Sequence, residues 1–261
     1  MKPALEMNIH EQFGLLIQGP PKTGKTELAA LFPSPWFANA DANLAGFVRR
    51  CREQAFKTSL MVSNIMRDDK DLVLSDPAVI WKRFVAECDL ALKSPDIKTI
   101  VFDSMTTLMQ IAIQYIPIER VNRTGKGSKD QMEIQDWGTN QNLWKTIIMK
   151  MRSTGKLFIV ICHEEAIKDE ISGGVTKWVP NIPGSKLQAA FPGFFSDVWR
   201  TEIETGKDNN PSYVVRVKPT ARLDLGGSIG FDTPTIVRSN NLQEQSDMIA
   251  KLVGYNQPVP V

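Results

Sequence analysis

Histidine and cysteine are scarce in this chain, with two of the first (His10, His163) and three of the second (Cys51, Cys88, Cys162). Two histidines leave little from which to build a zinc site. The cysteines are scattered, with no CxxC pair and no even framework, so they read as buried free thiols of a reducing compartment. Long apolar runs are missing as well; LFIVIC is typical of the longest, far short of a membrane span. The opening MKPALEMNIHEQ is too polar and broken for a signal peptide. An excess of charge of one sign is also absent: 31 Lys and Arg against 29 Asp and Glu give a net +2. Any nucleic-acid binding must then come from local basic loops rather than a global field. These absences lead us to expect a soluble, cytoplasmic protein without membrane contact.

What is present is an ordinary globular mixture, 42% hydrophobic and 23% charged over 261 residues. Without repeats, low-complexity tracts or a clear linker, one domain over 1–261 is expected, with a short lead over 1–11 and a loose tail over 254–261. Strands are predicted at Leu15–Gln18, Pro35–Ala40, Lys98–Asp103 and Lys156–Cys162, with late ones at Ser196–Glu202 and Tyr213–Val217. Helices are predicted at Lys25–Phe32, from Asp76-Pro77 to SPD (94–96), over Ser104–Tyr115, over roughly 131–153 and over Leu242–Leu252. Residues 119–130 read as a basic loop, and 164–185 as irregular chain. Strands alternating with helices imply an α/β fold, an open and mostly parallel sheet covered on both faces.

The most specific motif is GPPKTGKT (19–26), which fits G-x-x-x-x-G-K-[ST] at every fixed position, between a strand and a helix. Its glycines let the backbone curl, so that the loop residues from Gly19 through Pro20, Pro21, Lys22, Thr23 and Gly24 to Glu27 surround an anion, with the N–H groups of the non-proline residues pointing inward, and the helix start adds partial positive charge. In such a loop Lys25 reaches the β- and γ-phosphates of ATP, and the Thr26 hydroxyl can ligate Mg²⁺. A second acidic partner for the metal is supplied by TIVFDS, an apolar strand ending in Asp103; a cap for the helix that follows is the lesser alternative, and one residue could do both. Glutamate does not follow it, since position 104 is serine, so the base that orients water must come from elsewhere. Asp41, ending PWFANA, is the first candidate and also suits an Asx turn. Glu164 is the second. His163, at the tip of KLFIVIC, is either a γ-phosphate sensor or a satisfied structural histidine.

Taken together, IQGPPKTGKT, WFANAD, TIVFDS and IQDWGTNQNLWKTIIMKMRSTGKLFIVICHEE resemble the bacteriophage RecA-like P-loop ATPases. These are minimal recombinase-core proteins linked to single-strand annealing and described also as phage nucleotide-binding, AAA-type proteins. The similarity runs from about residue 12 to about 222. It implies a RecA-like core, with the KLFIVIC strand between the phosphate-loop strand and the TIVFDS strand, and a late antiparallel hairpin. It places the catalytic acid at Asp41, where better-known members carry Glu, and the γ-phosphate sensor at His163. VKPTARLDLGG resembles the hairpin that sends basic residues across a subunit interface, with Lys218 and Arg222 at the matching positions; both equally suit a solvated strand edge.

The resemblance also implies single-stranded DNA as partner, a homo-oligomer in ring or filament, a possible phage single-strand-binding protein, and work in the cytoplasm of an infected bacterium. The loops 119–130 and 164–185 match the two DNA-binding loops of that family. Their own residues fit: Arg120, Arg123, Lys126 and Lys129 in the first, Lys168, Lys177 and Trp178 in the second, cations for phosphates and one aromatic face for a base. Two ordinary surface loops would read the same. ISGGV lacks the context of a transporter signature. A small-molecule kinase, with Arg120 and Arg123 in a lid, remains a rival, as does an ATP-gated scaffold that hydrolyses little.

Overall fold

The computed structural model describes residues 13–205 and 209–254; the lead over 1–11 and nearly all of the tail expected over 254–261 lie outside the described residues. Runs of three or more consecutive apolar residues, buried on both sides, mark the strands of a parallel interior. Four segments meet that pattern and every residue in them is buried: β1 (Gly14–Gln18), β2 (Pro35–Asn39), β4 (Thr99–Asp103) and β5 (Leu157–Ile161). The edge strand β3 (Met61–Asn64) pairs with β2. The chain closes the other side with β8 (Asp197–Thr205), β9 (Pro211–Arg216), β10 (Gly226–Gly227) and β11 (Thr235–Val237).

The strand order is β11-β9-β8-β1-β5-β4-β2-β3, with β10 also on β8. Strands β1 to β5, and β1 with β8, run parallel; β9, β10 and β11 join antiparallel. The KLFIVIC strand therefore lies between the phosphate-loop strand and the TIVFDS strand, as the resemblance implied. Parallel neighbours need long crossovers, which α1 (Lys25–Ala30), α2 (Ala45–Glu53), α3 (Pro77–Lys93), α4 (Met105–Thr124) and α5 (Ile134–Arg152) supply.

Alternate residues of each strand face opposite cores. On one face Phe102 and Phe158 pack with Trp81, Phe84 and Trp144 from α3 and α5. Trp81 meets Trp144 edge-on at 5.4 Å and Phe84 meets Phe102 at 5.1 Å. On the other, Ile17, Val101 and Ile159 pack with Leu28, Phe47 and the C-terminal α7 (Leu242–Leu252). Truncating a buried aromatic such as Trp144 to alanine costs about 3–5 kcal/mol.

Several boundaries differ from the sequence expectation. Helix α4 continues to Thr124 through Pro117, because Ile116, Pro117 and Arg120 are buried and a left-handed Gly125 ends it; the basic loop begins only there. Residues 164–185 are largely ordered rather than irregular. They form a hairpin of β6 (Glu164–Lys168) and β7 (Val175–Pro180), then α6 (Ser185–Ala190). Val179 and Ile182 are buried in the core, and Trp178 packs against it, which anchors this ribbon off the main sheet. The segments that form α2 and β3 carried no prediction.

Candidate functional site

All four parallel strands β1, β2, β4 and β5 end at one edge of the sheet, so the residues that follow them converge there. The loop after β1 turns tightly at Gly19 and Gly24. Gly19 has φ +149°, and a Cβ there would stand 2.4 Å from the Thr201 carbonyl oxygen on β8. Gly24 has φ +81°, and a Cβ there would stand 2.3 Å from Arg238 Nη1. Only glycine fits at either position. Inside the loop Thr23 Oγ1 donates to the Pro20 carbonyl (2.8 Å), and Lys25 Nζ donates to the carbonyls of Gly19 (2.8 Å) and Pro20 (2.7 Å). Burial pulls the Lys25 ammonium below its ordinary pKa, opposed by Glu164, Asp103 and Asp41. Lys25 thus lies over the cup of the loop, ringed by negative charge.

Asp103, at the end of β4, is 1% exposed and accepts a hydrogen bond from Thr26 Oγ1 at 2.7 Å. Burial pushes its carboxyl up to about 6; Thr26 works against this, and Asp41 with it. Asp41 follows β2. Thr107 Oγ1, one turn into α4, donates to its Oδ1, and His163 Nε2 lies 3.3 Å from its Oδ2. Burial works to raise the Asp41 carboxyl, but the bonds from His163, Thr107 and Ser104 outweigh it and hold it below the ordinary range. The His163 amide donates to Thr106 Oγ1 (3.1 Å), and Nδ1 has no partner among the described residues. The run SMTT after Asp103 therefore orients both the acid and the histidine opposite the loop.

Glu164 stands in a different setting. Arg200 of β8 grips it through two bonds, 2.8 Å from Nε and 2.7 Å from Nη2, and also pairs with Glu202. The Arg200 guanidinium lies 5.5 Å from the centre of the Trp178 ring. Both oxygens of the Glu164 carboxylate are thereby occupied by the guanidinium. Among the acids near Lys25, Asp41 is the one that faces the cleft together with Asp103 and His163.

The DNA candidates separate into two groups. Arg120 is not a loop cation: it is 7% exposed and bonds to Asp136 (3.1 Å), Glu133 (2.5 Å) and the carbonyls of Lys126, Ser128 and Gln131. It holds the α4–α5 turn in shape. Lys177 pairs with Asp224, and Trp178 is half-buried beneath Arg200. Arg123, Lys126, Lys129 and Lys168 are exposed. So are Lys218, which donates to the Asp232 carbonyl (3.1 Å), and Arg222.

Around the loop lies a cleft of about 780 Å³ whose walls include residues that no motif announced. Arg238 donates to the Gly24 carbonyl (3.0 Å), to Glu27 (2.6 Å) and to Gln245 (3.0 Å). Arg50 donates to the same Glu27 oxygen (2.5 Å) and to the Asn240 carbonyl (2.8 Å). Tyr213 completes this end. Their chain positions carry no recognisable spacing, since they reach the site only because α2 and the segment before α7 pack beside α1.

The donors available suit magnesium. Among the described residues no group of three or more His, Cys, Asp or Glu side chains is gathered for an ion. Magnesium takes oxygen ligands, and one carboxylate plus a hydroxyl, the phosphates and water is its usual set. The buried pair Thr26–Asp103 offers that, and a cation would relieve the burial that now raises Asp103.

A β-strand, a glycine-cornered loop closed by Lys-Thr, and an opposing strand-end aspartate define a P-loop nucleotide-binding protein of α/β architecture. Residues 12–227 match the family AAA_24, described as an AAA domain, and the chain belongs to it. The comparison with curated proteins returned no match. Among solved structures the chain is similar to the KaiC-like protein PH0186 from the hyperthermophilic archaeon Pyrococcus horikoshii OT3, at 12% identity and a TM-score of 0.44, over 87% of this chain and 90% of that one. Among the described residues no helix is long and apolar enough to cross a membrane.

Proposed function

We propose that this chain is a magnesium-dependent ATPase of the RecA-like type that binds single-stranded DNA and serves phage recombination or annealing. The observation that carries the catalytic part is the arrangement across the cleft. Thr26 and Asp103 are joined at 2.7 Å beside Lys25, and Asp41 is held opposite by Thr107 and His163. Lys25 leaves the loop carbonyls for the β- and γ-phosphates of ATP. Water attacks the γ-phosphorus in line, the bond to the ADP oxygen breaks, and Asp41 accepts the proton that the water loses. His163, beside Asp41, meets the γ-phosphate and reports its loss. Thr26 and Asp103 would hold the magnesium, which supplies charge neutralisation on the β- and γ-phosphates.

The partners rest on the resemblance and on exposed charge. Arg123, Lys126 and Lys129 after α4, with Lys168 at the hairpin, offer phosphate contacts to a single strand. Lys218 and Arg222, both exposed, would reach a neighbouring copy, and such a trans cation raises turnover by about 10³–10⁵-fold. ATP hydrolysis measured with and without single-stranded DNA tests the whole proposal. Stimulation by DNA supports it; turnover indifferent to DNA removes the DNA role.

One observation favours a second reading, an ATP-gated scaffold with little hydrolysis. The bonds that hold Asp41 below the ordinary carboxylate range make it a poorer base. That reading predicts tight MgATP binding, ATP-dependent self-association and no phosphate release.

A further inference from the structure

Arg238 is a buried charge that the hydrolytic arrangement does not use. It lies beyond residue 227, where the match to the AAA domain ends, yet it touches the phosphate loop itself. Its Nη1 donates to the Gly24 carbonyl at 3.0 Å and its Nη2 to Glu27 at 2.6 Å, with the side chain only 3% exposed. Gly24 is the left-handed corner at which the loop turns into α1, and the guanidinium fills the space where a Cβ on it would stand. The same carbonyl receives the first bond of α1, from the Leu28 amide at 3.0 Å. Arg238 therefore grips the corner that sets the direction of the loop amides next to Lys25.

The arginine is itself held by the end of the chain. Its amide donates to the Tyr213 carbonyl on β9 (2.9 Å), and its Nε to Gln245 of α7 (3.0 Å). Gln245 is buried and donates back to the Ser239 carbonyl. Ser246 donates to the Leu31 carbonyl at the other end of α1 (3.3 Å), and Leu242 and Ile249 are buried in the same core as Leu28. Residues 238–252 thus clasp α1 at both ends. Glu27 is fixed as well, since Arg50 of α2 donates to the oxygen that Arg238 meets. A carboxylate free to swing in the first turn of α1 would repel a bound phosphate chain. Two guanidinium groups hold it in place and neutralise it.

We infer that Arg238 is a positioning residue for the phosphate loop, and that segment 238–252 sets the affinity of the site by holding Gly24 and Glu27 in the anion-binding arrangement. The inference rests on the phosphate-loop reading above and goes beyond it: the loop motif binds tightly only when this distant segment is docked on α1. The brace acts on groups that meet ATP, ADP and a bare phosphate chain alike. It therefore adds affinity for all three and leaves the rate of the bound complex unchanged.

Titration calorimetry of the full chain with MgATP, MgADP and magnesium tripolyphosphate, beside steady-state phosphate release, tests it. Arg238→Gln should weaken all three ligands by about 10–100-fold, the range of a lost charge-assisted bond. The stoichiometry should stay at one site, and KM should rise with kcat within about twofold. A role in folding alone reads differently: fewer competent sites, a lower kcat and an unchanged affinity at the sites that remain. That pattern overturns the inference, as does wild-type affinity in Arg238→Gln. So does a loss confined to MgATP and MgADP, which would make Arg238 a contact to the nucleoside rather than a brace. Should Arg238→Gln not fold, Arg238→Lys keeps the charge and one donor and must show a smaller loss of the same kind; unchanged affinity in that chain also overturns the inference. A wild type that binds none of the three ligands removes the phosphate-loop reading itself, whereas equal binding by wild type and Arg238→Gln removes only the brace.

Discussion

The nucleotide cleft and the basic loops are made in different ways. In the cleft each charged group is aimed by another: Thr107 and His163 set Asp41, Thr26 meets Asp103, and Arg238 braces the loop itself. The loop after α4 and the tip of the hairpin carry exposed cations. Of the charges nearest them, Arg120 and Lys177 are engaged in ion pairs within the protein. A cleft preorganised by the strand ends can perform chemistry on its own geometry, whereas loose cations confer only salt-dependent attraction to phosphate. The contrast teaches that net charge of a segment is a poor guide to its function until each cation's partner is known.

Replacement of single residues can break or sharpen this contrast. The largest effect is expected at Asp41: Asp41→Asn should lower turnover by about 10²–10⁴-fold while MgATP affinity stays within about threefold. Phosphate-release kinetics beside a binding titration check this; if Glu164→Gln gives that loss instead, Asp41 is not the base. Next comes Arg120. Arg120→Ala strips the buried Asp136 of its partner and should cost about 3–5 kcal/mol in denaturant unfolding. Arg123→Ala, one turn away and exposed, should stay within about 0.5 kcal/mol. Equal costs would mean that Arg120 is not structural.

Asp103 links stability to pH. Its carboxyl is raised in the fold from 3.8 to about 6, so the folded chain keeps that proton at pH values where the unfolded chain has lost it. The stabilisation is full below about pH 4 and disappears as pH rises through about 6. At pH 7.5 the ligand-free Asp103→Asn chain should therefore be more stable than wild type by about 3 kcal/mol, and at pH 4 the two should agree within about 1 kcal/mol. Thermal unfolding at both values checks this, and the variant should also lose the effect of magnesium on ATP binding. The smallest effect belongs to the loop: replacing Lys126 and Lys129 by Gln should reduce the salt dependence of single-stranded DNA binding by about one slope unit per lost contact. An unchanged slope excludes that loop.

Much of this was legible from local pattern. Continuous apolar runs gave the four central strands, Asp76-Pro77 gave the start of α3, and GPPKTGKT gave the loop. The placement of Asp41, Asp103 and His163 at strand tips follows from parallel topology alone. What stayed hidden depends on packing between distant segments. Arg120 looked like a loop cation because only the fold brings Asp136 to it. The β6–β7 hairpin carries EEAIKDEISGG, charge-rich and without alternation, and is ordered by Trp178, Val179 and Ile182 against the core. Arg50, Arg238 and Tyr213 have no motif, since the cleft wall they form is assembled from α2, β9 and the segment before α7.

The central claim is that the loop over 19–26 grips a triphosphate opposite Asp103. Calorimetric titration of MgATP into wild type and Lys25→Ala tests it most directly. The account predicts saturable one-site binding by wild type, lost by at least about 100-fold in the variant although its fold and melting are retained. Equal binding by the two chains, or none by wild type, would contradict it.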